Sequence, residues 1–118
     1  MYKKIMVPVD LEHVEEMKKA LDTAAELARI YDIPVCYVAV HGTVPNRVAK
    51  SPEKFDAELN MFAHEQRDKY AIETACKSVV SSDVPAELDD KLIDAVDDVE
   101  ADLVVMASHV PGVADHLH

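Results

Sequence analysis

Two side chains of this sequence stand where an apolar run gives way to a polar loop, the place where chemistry is easiest to arrange: Asp10, after KKIMVPV, and His109, after DLVVMAS. A carboxylate at Asp10 could accept hydrogen bonds from a ligand's ring or ribose, hold a metal through water, or only cap the helix that follows, since an acid suits a helix entrance. An imidazole at His109 could donate to a phosphate or transfer a proton, and a neighbouring carbonyl could equally satisfy it. Asp115-His116-Leu117-His118 has the residue types of a metal site, with a ragged chain end as the other account. His13 and His64 fall beside or opposite the apolar stripes of helical stretches and are read as facing solvent. Cys36 and Cys76 lie inside apolar stretches outside any CxxC pattern, so both are read as buried free thiols. No Ser-His-Asp or Cys-His set can be built from neighbours in sequence, and nothing in these residues demands catalysis.

Glycine poverty excludes whole classes of site. Phosphate loops of the GxGxxG and GxxxxGK[ST] kinds need several glycines at close spacing, whereas this chain has only Gly42 and Gly112. With 23 acidic against 12 basic side chains the formal charge is −11, so a nucleic-acid backbone would meet a repulsive field. No window approaches the roughly 18 consecutive apolar residues of a membrane helix. The expectation is one soluble, cytoplasmic domain of 118 residues.

The elements that must position these residues follow from periodicity. Residues 3–9 read as a strand, and residues 14–31 as a helix with Val14, Met17, Leu21, Ala24 and Ala28 on one stripe. Pro34 closes that helix, and Val35 to Val40 is an apolar run too short for another, which suits a strand buried on both faces. Ser51-Pro52-Glu53 supplies an N-cap, a proline for the first turn and an early acid, predicting a second helix over residues 52–70. Its stripe of Phe55, Leu59, Phe62, Ala63 and Tyr70 is thinner than the first helix's. Residues 73–80 alternate imperfectly, as an edge strand would. Ser81-Ser82-Asp83 and Pro85 start a third helix, with Leu88, Leu92, Ala95, Val96 and Val99 on one face and Asp89, Asp90, Asp97 and Asp98 toward solvent. Residues 102–107 form a last, wholly apolar strand.

Strands alternating with helices imply an α/β domain with a parallel sheet and helices on both faces. All strand-to-helix loops of such a sheet reach one rim, and a crevice opens where the winding reverses. That rim here carries Pro8-Val9-Asp10-Leu11, Val40-His41-Gly42 and Ala107-Ser108-His109-Val110.

KKIMVPVD at the start, followed by an Ala-rich helix, and ADLVVMASH about ninety residues later together resemble the universal stress protein A family along the whole chain. The resemblance implies a three-layer α/β/α sandwich, Rossmann-like and similar to the adenine nucleotide alpha hydrolases, with strand order 3-2-1-4-5. It further implies a homodimer and, in one branch, an ATP or AMP site with a possible bridging Mg²⁺. Adenosine would then be held by Pro8, Val9 and Asp10, by Val40, and by Met106 and Ala107, with the phosphates over the turn through His109 and Val110. The family's phosphate pattern, G-x2-G-x9-G-[S/T], is broken here: Ala107 and Val110 stand at its first two glycines, and Pro111 removes an N–H donor. The fifth strand and the last glycine of that pattern would follow His118, so the sequence is expected to be an incomplete family domain, or else another chain covers the apolar edge of its last strand. Three functions remain in play: a dimeric regulatory module binding an adenine nucleotide, a non-nucleotide-binding scaffold acting through a protein partner, and a hydrolase using Asp10 and His109. An enzyme is not expected beyond a slow ATPase.

Overall fold

The computed structural model describes residues 1–43 and 51–107. Among them four parallel strands, β1 (Ile5–Pro8), β2 (Val35–His41), β3 (Thr74–Val80) and β4 (Leu103–Val104), alternate with three helices, α1 (Lys18–Tyr31), α2 (Pro52–Tyr70) and α3 (Val84–Asp98). The strands pair in the order β3-β2-β1-β4. The chain therefore winds outward through β2 and β3, then returns past β1 to place β4 on its other side, which makes the gap beyond β1 and β4 the reversal point of the fold.

Both faces of the sheet are covered. Ile5, Val7, Val35, Tyr37 and Ala39 point to one side, where Met17, Leu21, Ala24, Ala25 and Ala28 of the first helical segment and Phe55, Leu59, Phe62 and Ala63 of α2 complete the larger core. Met6, Cys36 and Val38 point to the other and meet Ala95 of α3. Small alanines let α1 lie close on the strands. Ser51 caps α2 by accepting from the Lys54 N–H, and Asp83 caps α3 by accepting from the Ala86 N–H, as the sequence signals predict.

Several expectations need correction. The first helix begins as a 3-10 turn, Val14–Met17, and no side chain caps it, so Asp10 is not its N-cap. Of the predicted α3 stripe Ala95 is fully buried, Leu92, Val96 and Val99 pack partly buried beside it, and Leu88 keeps 39% of its surface exposed, so α3 is seated more loosely than its stripe suggests. The last strand pairs through two residues in place of six. It lies at a sheet edge with Val104 and Met106 exposed, because only β1 flanks it among the described residues. Cys36 is buried, but Cys76 on the edge strand is only half-buried. Gln66 joins the buried side of α2, a position the apolar stripe did not reveal.

Strand lengths differ in a way that shapes the rim. In a parallel sheet the N–H and C=O of one residue point to the same side, and successive residues alternate. The Ile5 N–H donates to the Pro34 carbonyl and the Val9 N–H to the Val38 carbonyl, so odd residues of β1 face β2 and even ones face β4. Pro8 thus directs its missing N–H toward β4, at the rung just beyond the last β1–β4 pair at Met6 and Val104, where the ladder ends. On β2 the Val38 carbonyl faces β1, whereas the His41 carbonyl accepts from Ser81 N–H on the β3 side. Val40 therefore faces β1, but the β1–β2 register stops at Pro8 and Val38.

Candidate functional site

The loop following β1 is built by Asp10 itself. Its Oδ1 accepts from the Glu12 N–H at 3.0 Å, its carbonyl accepts from the His13 N–H at 2.9 Å, and its own N–H points at Met17 Sδ, 3.3 Å away. This is an Asx turn, in which a short carboxylate imitates a backbone turn. The second carboxylate oxygen, Oδ2, meets His13 Nδ1 at 2.8 Å, and both side chains remain about half exposed. A carboxylate only accepts, so Nδ1 carries the proton of that bond. The hydrogen bond and the charge of Asp10 raise the pKa of His13 above its ordinary value, with Glu16 and Glu12 adding in the same direction. His13, read from sequence as solvent-facing, is thus the partner of Asp10. The D-x-x-H spacing of an Asx turn was the signal that could have shown it.

Beyond this turn lies a cleft of about 640 Å³ along the C-terminal ends of the strands, within the range of about 300–1,000 Å³ common for small-molecule sites. Pro8, Val9, Asp10, Val40, Met106 and Ala107 all line it. The pairing of β1 with β4 brings the early and late segments together across a separation of about a hundred residues. His109 and Val110, the other two candidates, lie outside the described residues, as do Asp115, His116 and His118. The cleft also takes in His13, His41 and Phe55, and on the α3 side Val84, Leu88 and Leu92.

Val40 is the most informative of these. Its N–H and C=O face the side that β1 has left, so among the described residues the cleft has a backbone donor and acceptor side by side, and its lining also takes in the apolar Val9, Val38 and Met106. Next to it His41 is 5% exposed, its ring stacked on Phe55 with centroids 4.2 Å apart and its Nδ1 3.0 Å from the Gly42 carbonyl. Sequence reasoning placed His41 on the rim without a role, because the stacking partner comes from a different element. Among the described lining residues the ionisable side chains are Asp10, Glu12, Glu16, His13 and His41, with no lysine or arginine. No three His, Cys, Asp or Glu side chains gather into a metal site among the described residues, and no helix there is long and apolar enough to cross a membrane.

Comparison with known proteins agrees with this architecture. A universal stress protein family member from Burkholderia pseudomallei has 22% identity and a TM-score of 0.68, over 98% of this chain and 87% of its own. The universal stress protein of Archaeoglobus fulgidus in complex with dAMP has 27% identity and a TM-score of 0.60, over 89% and 80%. An Arabidopsis thaliana family protein with AMP bound has 18% identity and a TM-score of 0.53, over 90% and 76%. No curated protein matches by sequence. The profile of the universal stress protein family matches residues 1–117, and with the sheet order and helical layers described above, this chain belongs to the universal stress protein family.

Proposed function

We propose that this protein is a regulatory module that binds an adenine nucleotide in the cleft at the strand ends, and that it does so as a homodimer without turnover beyond slow ATP hydrolysis. The observation that carries the proposal is the backbone of Val40, which has no strand partner on the β1 side among the described residues. An N–H and a C=O on the same side of one strand residue match the acceptor and donor on the edge of adenine, and the exposed Met106 is the apolar side chain in the cleft lining that a flat ring can cover. The Asp10 carboxylate, at the end of β1, suits the hydroxyls of a ribose. The dAMP held by the Archaeoglobus fulgidus relative and the AMP held by the Arabidopsis thaliana one support this class of ligand.

The described residues provide for the nucleoside more fully than for its phosphates. Asp10, Glu12 and Glu16 line the cleft, and the chain carries a charge of −11, so phosphate binding has to come from local N–H groups or a bridging Mg²⁺. Alanine and valine at positions 107 and 110, where the family pattern has glycine, favour the second reading, a scaffold that acts through a protein partner without nucleotide.

The test is direct. Denaturing the purified protein and passing the supernatant through nucleotide chromatography should release adenine nucleotide, and calorimetry with adenosine, AMP and Mg-ATP should show heat with the wild type. Val40→Pro deletes the N–H on the side with no ladder bond, so circular dichroism should be kept while binding is lost. Absence of both released nucleotide and binding heat, in a protein with native circular dichroism, would favour the scaffold.

A further inference from the structure

From the turn that holds Asp10 we infer that His13 is a gating residue, occupying the carboxylate oxygen that a ribose would otherwise take and so setting the affinity of the cleft for adenosine. The inference rests on the nucleoside-binding function proposed above. A carboxylate that grips two neighbouring hydroxyls does so best with both oxygens turned outward. Here Oδ1 accepts from the Glu12 N–H at 3.0 Å and Oδ2 from His13 Nδ1 at 2.8 Å, so each oxygen already serves one donor of its own turn and a ribose hydroxyl has to compete with the His13 ring at Oδ2. The two contacts differ in how easily they yield. The Glu12 N–H is fixed by the backbone of the turn, whereas the His13 ring is a side chain about half exposed to water, free to swing out by rotation about its own bonds. Asp10 and His13 both line the cleft, so the ring that leaves and the ligand that enters share one space.

The strength of the gate depends on the charge of the ring. Protonated His13 holds the carboxylate by charge as well as by a hydrogen bond, and among the described residues Asp10 and Glu12 on the loop and Glu16 on the 3-10 turn are the charged groups that act on it. When a ligand takes Oδ2, His13 loses its partner and its pKa falls back toward the ordinary 6.5. Binding then releases protons, so by linkage affinity rises as pH passes upward through the His13 titration and levels off above it. An exposed pair of this kind is worth a modest factor, about two- to five-fold in affinity.

Adenosine is the probe, because it has no phosphate for a protonated His13 to attract. Its dissociation constant would be measured between pH 6 and 8.5 for the wild type, His13→Ala and His13→Asn. Wild-type affinity should rise about two- to five-fold across that range, and His13→Ala should bind about that much more tightly than wild type at pH 6, with a flat profile. His13→Asn keeps a donor near Nδ1 without a titrating group, so it should also be flat, with affinity at or below that of His13→Ala. Weaker binding by His13→Ala, or a slope that survives both substitutions, would overturn the gate while leaving the site intact. No adenosine binding by any variant at any pH would instead defeat the nucleoside site on which the gate depends.

Discussion

Tyr37→Phe should make this protein more stable. Tyr37 sits in the middle of β2 with no exposed surface, and its ring meets Phe62 edge-on at 5.2 Å, an arrangement phenylalanine keeps. Among the described residues its hydroxyl is buried without a hydrogen-bond partner, and burial raises the pKa of that hydroxyl, so it stays un-ionised. An unpartnered buried hydroxyl costs about 1–3 kcal/mol relative to one in water. Deleting it recovers that cost and gives back only a fraction of a kcal/mol for the small void left behind. The net expectation is a gain of about 1 kcal/mol, read in urea as a higher midpoint at unchanged slope and in a thermal scan as a rise of a few degrees. Tyr70→Phe is the control of opposite sign. The Tyr70 hydroxyl donates to Asp22 and ties α2 to α1, so its removal should destabilise by about 0.5–1.5 kcal/mol. A Tyr37→Phe protein that unfolds at lower urea than wild type would refute the premise, because it would mean that the hydroxyl has a partner.

Two further substitutions test how the scaffold holds the cleft. Ala71 ends α2 in the left-handed region at φ 55 and ψ 51, where a Cβ is penalised and glycine is the usual residue, so Ala71→Gly should stabilise by about 1 kcal/mol in urea unfolding. Asp102 accepts from the Lys3 N–H at 2.9 Å and the Lys4 N–H at 3.1 Å, and these backbone donors hold its carboxyl below its ordinary 3.8. A carboxyl depressed in the folded state contributes stability above its unfolded pKa and loses it as pH falls through the folded one. Asp102→Ala should therefore unfold more easily at pH 7 and lose less further stability between pH 5 and 3 than wild type does. Because Met106 and Ala107 follow the two-residue β4 that Asp102 anchors, the same variant should also bind adenosine more weakly.

Much of the fold was legible because it is written in local patterns. The Ser51-Pro52-Glu53 signal located the start of α2, and its end at Tyr70 matched as well. The short apolar run at residues 35–40 could only be a strand, and strand and helix in alternation constrain the sheet to be parallel. The edge position of β3 showed in its broken alternation. The α3 stripe located the face that meets the sheet, since Leu92, Val96 and Val99 pack beside the buried Ala95, but a pattern reports which residues seek burial and not how fully a partner covers them, and Leu88 stays exposed.

The site divides in the same way. Composition and motif alone excluded glycine-rich phosphate loops, and family resemblance pointed to Pro8, Val9, Asp10, Val40, Met106 and Ala107, which the structure places around one cleft. Three features became visible in the folded chain: the open backbone of Val40 and the stacking of His41 on Phe55, both between distant segments, and the capture of Asp10 by His13, a local contact whose D-x-x-H spacing the sequence already carried. The first depends on where one strand stops relative to its neighbour, the second on a helix crossing a strand end, and the third on the way a turn closes. Each is a distance between groups, and a sequence specifies the groups while only the folded chain sets the distances.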